Sequence, residues 1–551
     1  PLGRLTTYTA QEIIALRDRE LAAQSNFRTL WQETADYVFP RENDITDIHS
    51  AGEDKSRKVY DPTAIMDSQE MASGLSSALI PSGQEFFGLK CKDKRLESND
   101  YIRRYLSMAT EVTHQEMFES NFMLQWNESL RGLAVFGTCN LYTEWDATNR
   151  QLNYKDYPIS SYQILEDKHL NVDTVILTFT FTARQAVQEF GEDKVSEKVK
   201  EAAKDAKTAS KPFEFIQLVG PRKERNPRLT DSKNWPWESI YVDVAGKTIV
   251  DEGGFERFPF AVARWMKGSS EKYGRGQGTE ILSAVKVLQA IMRAFVDCGN
   301  RWVNPPREVA LNHEGRVNVT PGAVNYVAEV GNTIKALDAG VMGNFPITKE
   351  MLELQRDLIH KAFYRDIFGQ LSTLTGDRRT TTEIIERIRE GLRRLAMPVS
   401  RIESELLTPT IERSVWLLIR NDRLPYPPDE LAGVFGIEYL GELGLALRNQ
   451  QAKGFIQWVS VVANMGAVFP DALDLVGVDR GVRRLAETSG VNIEDVSTEE
   501  EVAAKREARQ KATAAQAALQ AVEVAGKAYP GATKAPEEGS PAAELVGAGK
   551  E

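Results

Sequence analysis

Thr279-Glu-Ile-Leu-Ser-Ala-Val-Lys-Val-Leu-Gln-Ala-Ile-Met-Arg-Ala-Phe295 lies near the start of the stretch, Tyr273 to Arg420, around which the chain is arranged. The Thr279 hydroxyl is placed to cap a helix, with Glu280 set against the positive helix end. Ile281, Val285, Leu288, Met292 and Phe295 then step by three and four, one stripe on one face. Pro305-Pro306 forbids continuation. Arg307 to Asn344 turns to β-type residues broken by Gly315, Gly322, Gly331 and Gly340. Helix returns from Thr348, with Met351, Leu354, Leu358 and Ala362 in one row and Gly369 as the expected stop. After the polar loop Ser372-Thr-Leu-Thr-Gly-Asp-Arg-Arg-Thr380, Thr380 and Glu383 form a capping box. Ile384, Ile388, Leu392, Leu395, Val399, Ile402 and Leu406 keep the helical spacing for about six turns. Pro398 and Pro409 should bend that helix.

Upstream, Thr9 and Glu12 form a capping box, and a second helix carries Phe27, Leu30, Trp31 and Tyr37 before Pro40. Asp61-Pro62 is an N-cap followed by Pro at the first helical position. The helix behind it is rich in small residues (Ala72, Ser73, Gly74, Ser76, Ser77, Ala78), a packing face for this chain or for a neighbouring subunit. Two helices, from about Asp100 and Leu124, precede a β-rich region. Asn140 to Trp145 with Gln151 to Tyr157 reads as a hairpin, and Val172 to Phe181, Phe213 to Val219, Ser239 to Val244, Thr248 to Asp251 and Phe260 to Met266 as strands. Thr182 caps a short helix, and Glu197 to Lys207 is a charge-dense solvated face. The strands cluster instead of alternating with helices, so the class is α+β with a mixed or antiparallel sheet. Past Pro428, a strand-like Phe435 to Tyr439 leads to a helix from Glu442 to Asn464. Ser497 and Glu500 open an Ala-rich helix to about Ala525, and Lys527 to Glu551 has the composition of a disordered tail.

With 42% hydrophobic and 27% charged residues, the 551-residue chain has the composition of a globular protein. No apolar run approaches the roughly 20 residues that cross a bilayer, and Pro1 to Gly3 runs into polar sequence without a signal-peptide pattern. Cys91, Cys139 and Cys298 are too few and too scattered for a disulfide framework or zinc site, and fit a reducing cytoplasm. A net charge of −11 argues against a stable DNA binder. It does not argue against a channel through which DNA slides, where tight phosphate contacts would act as a brake.

A convergent set of reactive residues is missing from the sequence. Ala245-Gly-Lys-Thr248 mimics the end of a phosphate-binding loop, but Tyr241 stands where the required glycine belongs and both flanks are strands. It reads as a hairpin turn. Gly274-Arg-Gly-Gln-Gly278 has the wrong spacing for a dinucleotide loop, and its glycines suit a sharp turn into the helix. His49, His114, His169, His313 and His360 are far apart and read as ordinary surface or packing residues, so neither a metal nor a cofactor is expected. Asp251-Glu252 and Glu499 to Glu501 read as solvated loops or helix starts.

Several stretches, in this order and spacing, carry a resemblance. They are Tyr273-Gly-Arg-Gly-Gln-Gly278, Pro305-Pro306, Ala362-Phe-Tyr-Arg-Asp-Ile-Phe368, Thr381-Thr-Glu-Ile384, Glu405-Leu-Leu-Thr-Pro409 and Leu424-Pro-Tyr-Pro-Pro428. Together they resemble the head-to-tail connector, or portal, proteins of short-tailed, podovirus-type bacteriophages, over the chain to about Val524. The resemblance implies a ring-forming subunit: an α+β wing (1–272), a first stem helix (273–304), a clip (305–346) and a second stem helix (347–370). A tunnel loop (371–380), a long wing helix (381–427), a crown (428–496) and a C-terminal helix (497–526) would follow, then the tail (527–551). It implies a homo-dodecamer at one capsid vertex of the virion, assembled in the host cytoplasm. Double-stranded DNA would pass through the channel during packaging and ejection, held transiently and without sequence preference.

Ser372, Thr373, Leu374, Thr375, Gly376, Asp377, Arg378 and Arg379 would then form the loop that narrows the channel. Arg307, Glu308, Asn312, His313, Glu314 and Arg316 would belong to the clip that docks the terminase large subunit and later the tail adaptor or tail tube. Major capsid and scaffold proteins would be further partners, with no membrane involved. Ile281, Val285, Leu288, Met292, Phe295, Met351, Leu354 and Leu358 would pack the stem. Either Arg378 and Arg379 make transient phosphate contacts while Arg387, Arg389, Arg393 and Arg394 form intersubunit ion pairs, or all six are a solvated face balanced by Glu383, Glu386 and Glu390. The terminal helix reads equally as part of a barrel or as a frayed tail. Two other classes compete. A soluble oligomeric α+β enzyme with a helical dimerisation arm leaves Arg307 to Pro346 without a place. A sequence-specific DNA binder lacks a recognition helix.

Overall fold

The computed structural model describes residues 8–50, 52–81, 85–93, 99–226, 228–229, 231–303, 307–308, 335–336, 349–371, 394–431, 435–440, 457–462, 481 and 499–528. The chain divides into two units, Pro1–Ala446 and Leu447–Glu551.

In the first unit, α1 (Ala10–Ala23) opens on the expected capping box, Thr9 and Glu12 satisfying each other's backbone N–H groups. Helices α2 (Ser25–Val38) and α3 (Thr63–Leu79) follow, and the Asp61 carboxylate accepts from the Thr63 N–H at 2.9 Å. After strand β1 (Phe87–Cys91) come α4 (Asp100–Glu119) and α5 (Phe122–Phe136). Strand β2 (Thr138–Asp146) is the middle of a three-stranded antiparallel sheet, between β3 (Gln151–Asp156) and β9 (Phe260–Arg264). Strands β4 (Tyr162–Glu166), β5 (Val172–Thr182), β6 (Pro212–Pro221), β7 (Trp237–Asp243) and β8 (Thr248–Phe255) form a five-stranded antiparallel sheet in sequence order.

The period-two pattern of β6 explains how that sheet is covered on both faces. Phe213 and Phe215 point to a cluster with Ala183, Ala186 and Phe190 of α6 (Ala183–Phe190) and Val199 of α7 (Glu197–Lys204). Ile216 and Leu218, on alternate positions, join Ile176, Ile240, Val242 and Ile13 of α1. Thr182 caps α6 as its sequence suggests, with Gln185 completing the box. Ala245 to Thr248 is the turn between β7 and β8, with Lys247 at φ 53°. Asp251 and Glu252 lie within β8 and not in a loop, beside Lys194 and Arg222. The largest core lies elsewhere, where Trp31, Trp126, Phe136, Tyr154, Tyr162 and Trp265 are buried among α2, α3, α5 and the three-stranded sheet.

Phe435–Tyr439, expected to lead into the crown, forms β10, antiparallel to β1. That strand is therefore built into the first unit. The long helix is described from its second half: α12 (Ala396–Arg401), a π-helical segment (Ile402–Leu407), then α13 (Thr408–Arg420). Pro409 has no N–H to give the Glu405 carbonyl, and the Thr408 N–H reaches back five residues to Glu403. The Tyr439 hydroxyl also donates to the Glu403 carbonyl, at 2.9 Å. In the second unit the described helices are residues 457–462 and α14 (Glu499–Ala528), which is exposed along the side chains described.

Candidate functional site: a helical stem and its anchorage

The two central helices are α9 (Leu282–Val303) and α10 (Lys349–Ala362), which pack on each other. A short turn, α8 (Gln277–Glu280), precedes α9. Thr279 does not cap it: its hydroxyl donates to the Gly276 carbonyl at 2.7 Å, and Gly276 takes the cap position. The chain can enter here only because four glycines interlock with the end of α5. Gly137 sits at φ 87°, in the left-handed region that favours glycine. A Cβ on Gly276 would lie 2.6 Å from the Ala134 carbonyl oxygen, one on Gly278 2.7 Å from that of Val135, and one on Gly274 2.2 Å from that of Gly137. The glycine-rich run is a backbone joint, as its sharp-turn reading requires.

A polar joint completes the anchorage. Gln289 of α9 is buried; its Oε1 accepts from the Tyr60 and Asp61 N–H groups at 2.6 and 2.9 Å, and its Nε2 donates to the Asp61 carbonyl at 2.7 Å. From α10, Arg356 Nη2 donates to Asp61 Oδ2 at 2.6 Å, and His360 Nδ1 lies 2.5 Å from Asp67 Oδ2. Tyr364 then turns left-handed at φ 55°, ending α10 before Gly369, and α11 (Arg365–Leu371) starts in a new direction. Arg365 gives a second donor to Asp67 at 3.1 Å. Phe368 fills the space above Gly74, where a Cβ would lie 2.4 Å from its ring. Ala72, Gly74, Ser76 and Ala78 of α3 therefore serve packing within the chain, while Ser73 and Ser77 are exposed.

The two carboxylates differ. Burial pushes Asp61 up, but the Thr63 and Arg356 hydrogen bonds outweigh it, and Asp61 lies below the ordinary range. Burial outweighs His360 and Arg365 at Asp67, which lies above it.

Of the eight positions expected to pack a stem, those on α9 divide along the helix, whereas the three on α10 are all exposed. Val285 and Leu288 are fully buried, and Ile281 and Met292 are half-buried against the main core. Phe295 is 56% exposed and Leu354 58%, and Met351 and Leu358 are exposed too. Val287 and Val296 add to this uncovered apolar surface. Of the residues expected in a clip, Arg307 and Glu308 pair antiparallel with Ala336 and Lys335. Asn312, His313, Glu314 and Arg316 lie outside the described residues, as do Ser372 to Arg379 and Arg387, Arg389 and Arg393. The joint residues Gln289, Arg356, His360, Asp61 and Asp67 were not singled out from the sequence as a set. The signal was an aspartate at position 67 on a helix row otherwise continued by Ala64, Met71 and Leu75. Of its two expected roles, surface or packing, His360 takes the packing one, as a hydrogen-bond partner of Asp67.

Among the described residues, no group of His, Cys, Asp and Glu is arranged to hold a metal ion, and no helix is long and apolar enough to cross a membrane. The geometry is that of a structural element: a helical pair fixed at one end and apolar but uncovered at the other.

Comparison with known proteins accounts for such an element. The family of bacteriophage head to tail connecting proteins matches residues 10–495, and the chain belongs to that family. Within it, the chain is similar to the portal protein of Salmonella phage epsilon15, 28% identical over 90% of each chain. It is also similar to a probable portal protein of Bordetella phage BPP-1, 25% identical over 89% of each.

Proposed function

We propose that this chain is a phage portal subunit and that twelve copies close into a ring at one capsid vertex of the virion. The observation that carries the ring is the uncovered apolar strip on α9 and α10, displayed by helices whose other end is locked into the subunit. Exposed apolar side chains grouped on one element mark an interaction surface, and in a ring the neighbouring stems would cover them. The ring would admit double-stranded DNA driven by a separate terminase, retain it, and release it through the tail. Arg307 to Pro346 would meet the terminase large subunit and later the tail adaptor or tail tube, while the wing would meet capsid and scaffold proteins. Ser372 to Arg379 would narrow the channel, whose wall would be acidic so that DNA slides. The subunit would carry out no chemical step of its own, and assembly would take place in the host cytoplasm.

Two variants test this. Leu354→Asp should abolish closed rings in electron micrographs while the subunit keeps its fold by circular dichroism; intact rings would refute the stem interface. Deleting Ser372 to Arg379 should leave rings intact and reduce packaged DNA per capsid, and normal packaging would remove the loop from the channel.

A further inference from the structure

The long helix and the two sheets enclose a cleft of about 420 Å³ that the ring reading does not use. Trp237 and Phe260 line it on the sheet side, and Ser404 of the π-helical segment on the other. π-Helical turns are rare and occur frequently at functional sites.

The cleft has an unusual charge at its wall. Arg413 lines it while only 5% exposed. Its Nε donates to the Thr143 carbonyl at 3.4 Å and its Nη1 to the Arg257 carbonyl at 2.8 Å. Its guanidinium also lies 5.4 Å from the Phe255 ring centre and 5.3 Å from that of Trp416. These contacts fix the guanidinium, but none supplies a negative charge. Burial, aided by the like charges of Arg420 and Arg257, pulls Arg413 down to about 10. Leaving a buried cation without a counter-charge is costly.

The carboxylates on the wall are largely committed elsewhere. Glu405 holds the Arg264 guanidinium at 3.1 Å, and Glu256 is engaged by Arg420. Among the described residues, neither Arg413 nor Arg257 has a carboxylate at ion-pair distance; Glu256 acts on Arg413 only from further away, and Glu412 is the wall carboxylate that no arginine engages.

We propose that this cleft binds an oxyanion, a carboxylate or phosphate group, between the buried Arg413 and the more exposed Arg257. The planar guanidinium fork suits both groups. The anion is either a free solute or an acidic side chain of a second copy of this chain.

Inorganic phosphate is the probe, titrated into the unassembled full chain at constant ionic strength while melting temperature and heat of binding are followed. A saturable stabilisation is expected. Arg257→Gln should weaken apparent affinity at least about tenfold, the loss that follows from removing one charged hydrogen-bond donor. Glu412→Gln, which removes the opposing charge, should strengthen it several-fold. Both positions are at the wall, so the pair remains informative if Arg413→Gln fails to fold. Equal responses in the wild type and both variants would overturn the site, since phosphate also stabilises proteins by exclusion from their surface. No saturable response would overturn it equally. The source of the anion is read by repeating the titration on assembled rings, an arm that alone rests on the portal reading. A response confined to the unassembled chain assigns the neighbour's carboxylate, and a response in both assigns a free anion.

Discussion

The two ends of the same helical pair are built from the same kind of residue at the same spacing, yet they meet opposite fates. Val285 and Leu288 are sealed in the main core, while Phe295 and Leu354 stand in the open. At the sealed end, the glycine run locks onto the end of α5, Gln289 bridges to the backbone of Tyr60 and Asp61, and Arg356 and Arg365 pair with Asp61 and Asp67. At the open end, the chain supplies no such partner among the described residues. A three-four stripe therefore states that a face will be covered, and not by whom. In the proposed ring, one end would answer to the fold and the other to the neighbour.

Substitutions at the two ends break or sharpen that contrast. The largest effect is expected at the glycine interlock. Gly276→Val drives a branched side chain into the Ala134 carbonyl and should cost more than about 4 kcal/mol, or prevent folding, in denaturant titration. A cost under about 1 kcal/mol would mean that the two backbones are not interlocked. Leu288→Ala leaves a cavity in the sealed end and should cost about 3 kcal/mol.

Asp61→Asn should cost about 2 kcal/mol at pH 7, within the range for removing a charged hydrogen-bond acceptor. The sign with pH follows from its depressed pKa: the Asp61 contribution is present above the unfolded carboxyl range near 4 and is lost as pH falls through the folded value. The cost of Asp61→Asn should therefore shrink on acidification. Asp67, raised by burial, works the other way, so stability falls as pH rises from the unfolded value through the folded one. Melting temperatures of Asp61→Asn and Asp67→Asn from pH 3 to pH 7 read the two slopes, and parallel slopes would contradict the difference between the carboxylates. The smallest effect is expected at the open end, where Leu354→Ala should change the stability of the unassembled chain by under about 0.5 kcal/mol.

The sequence made local order legible and left distant pairings hidden. The Thr9 and Thr182 capping boxes, the hairpin turn at Lys247 and the strands Val172–Thr182, Pro212–Pro221 and Trp237–Asp243 follow from neighbours a few residues apart. The pairing of Phe435–Tyr439 with Phe87–Cys91 joins strands far apart in sequence, and no local period encodes it. The break at Tyr364 uses a left-handed residue that is not glycine, held by the packing of Phe368 on Gly74. Pro398 and Pro409 marked the long helix as irregular, but no local pattern shows that the Glu403 carbonyl of its π-helical segment accepts from the Tyr439 hydroxyl as well as the Thr408 N–H. Stem spacing was legible and the sealed half of it was not separable from the open half, because both show the same stripe.

The most direct measurement of the central claim is electron microscopy of the purified chain, with native mass spectrometry to count subunits. Closed twelve-subunit rings, with the α9 and α10 surfaces facing neighbours around an axial opening wide enough for duplex DNA, are the predicted result. A chain that stays monomeric across concentration and salt, even with capsid scaffold protein added, would contradict it.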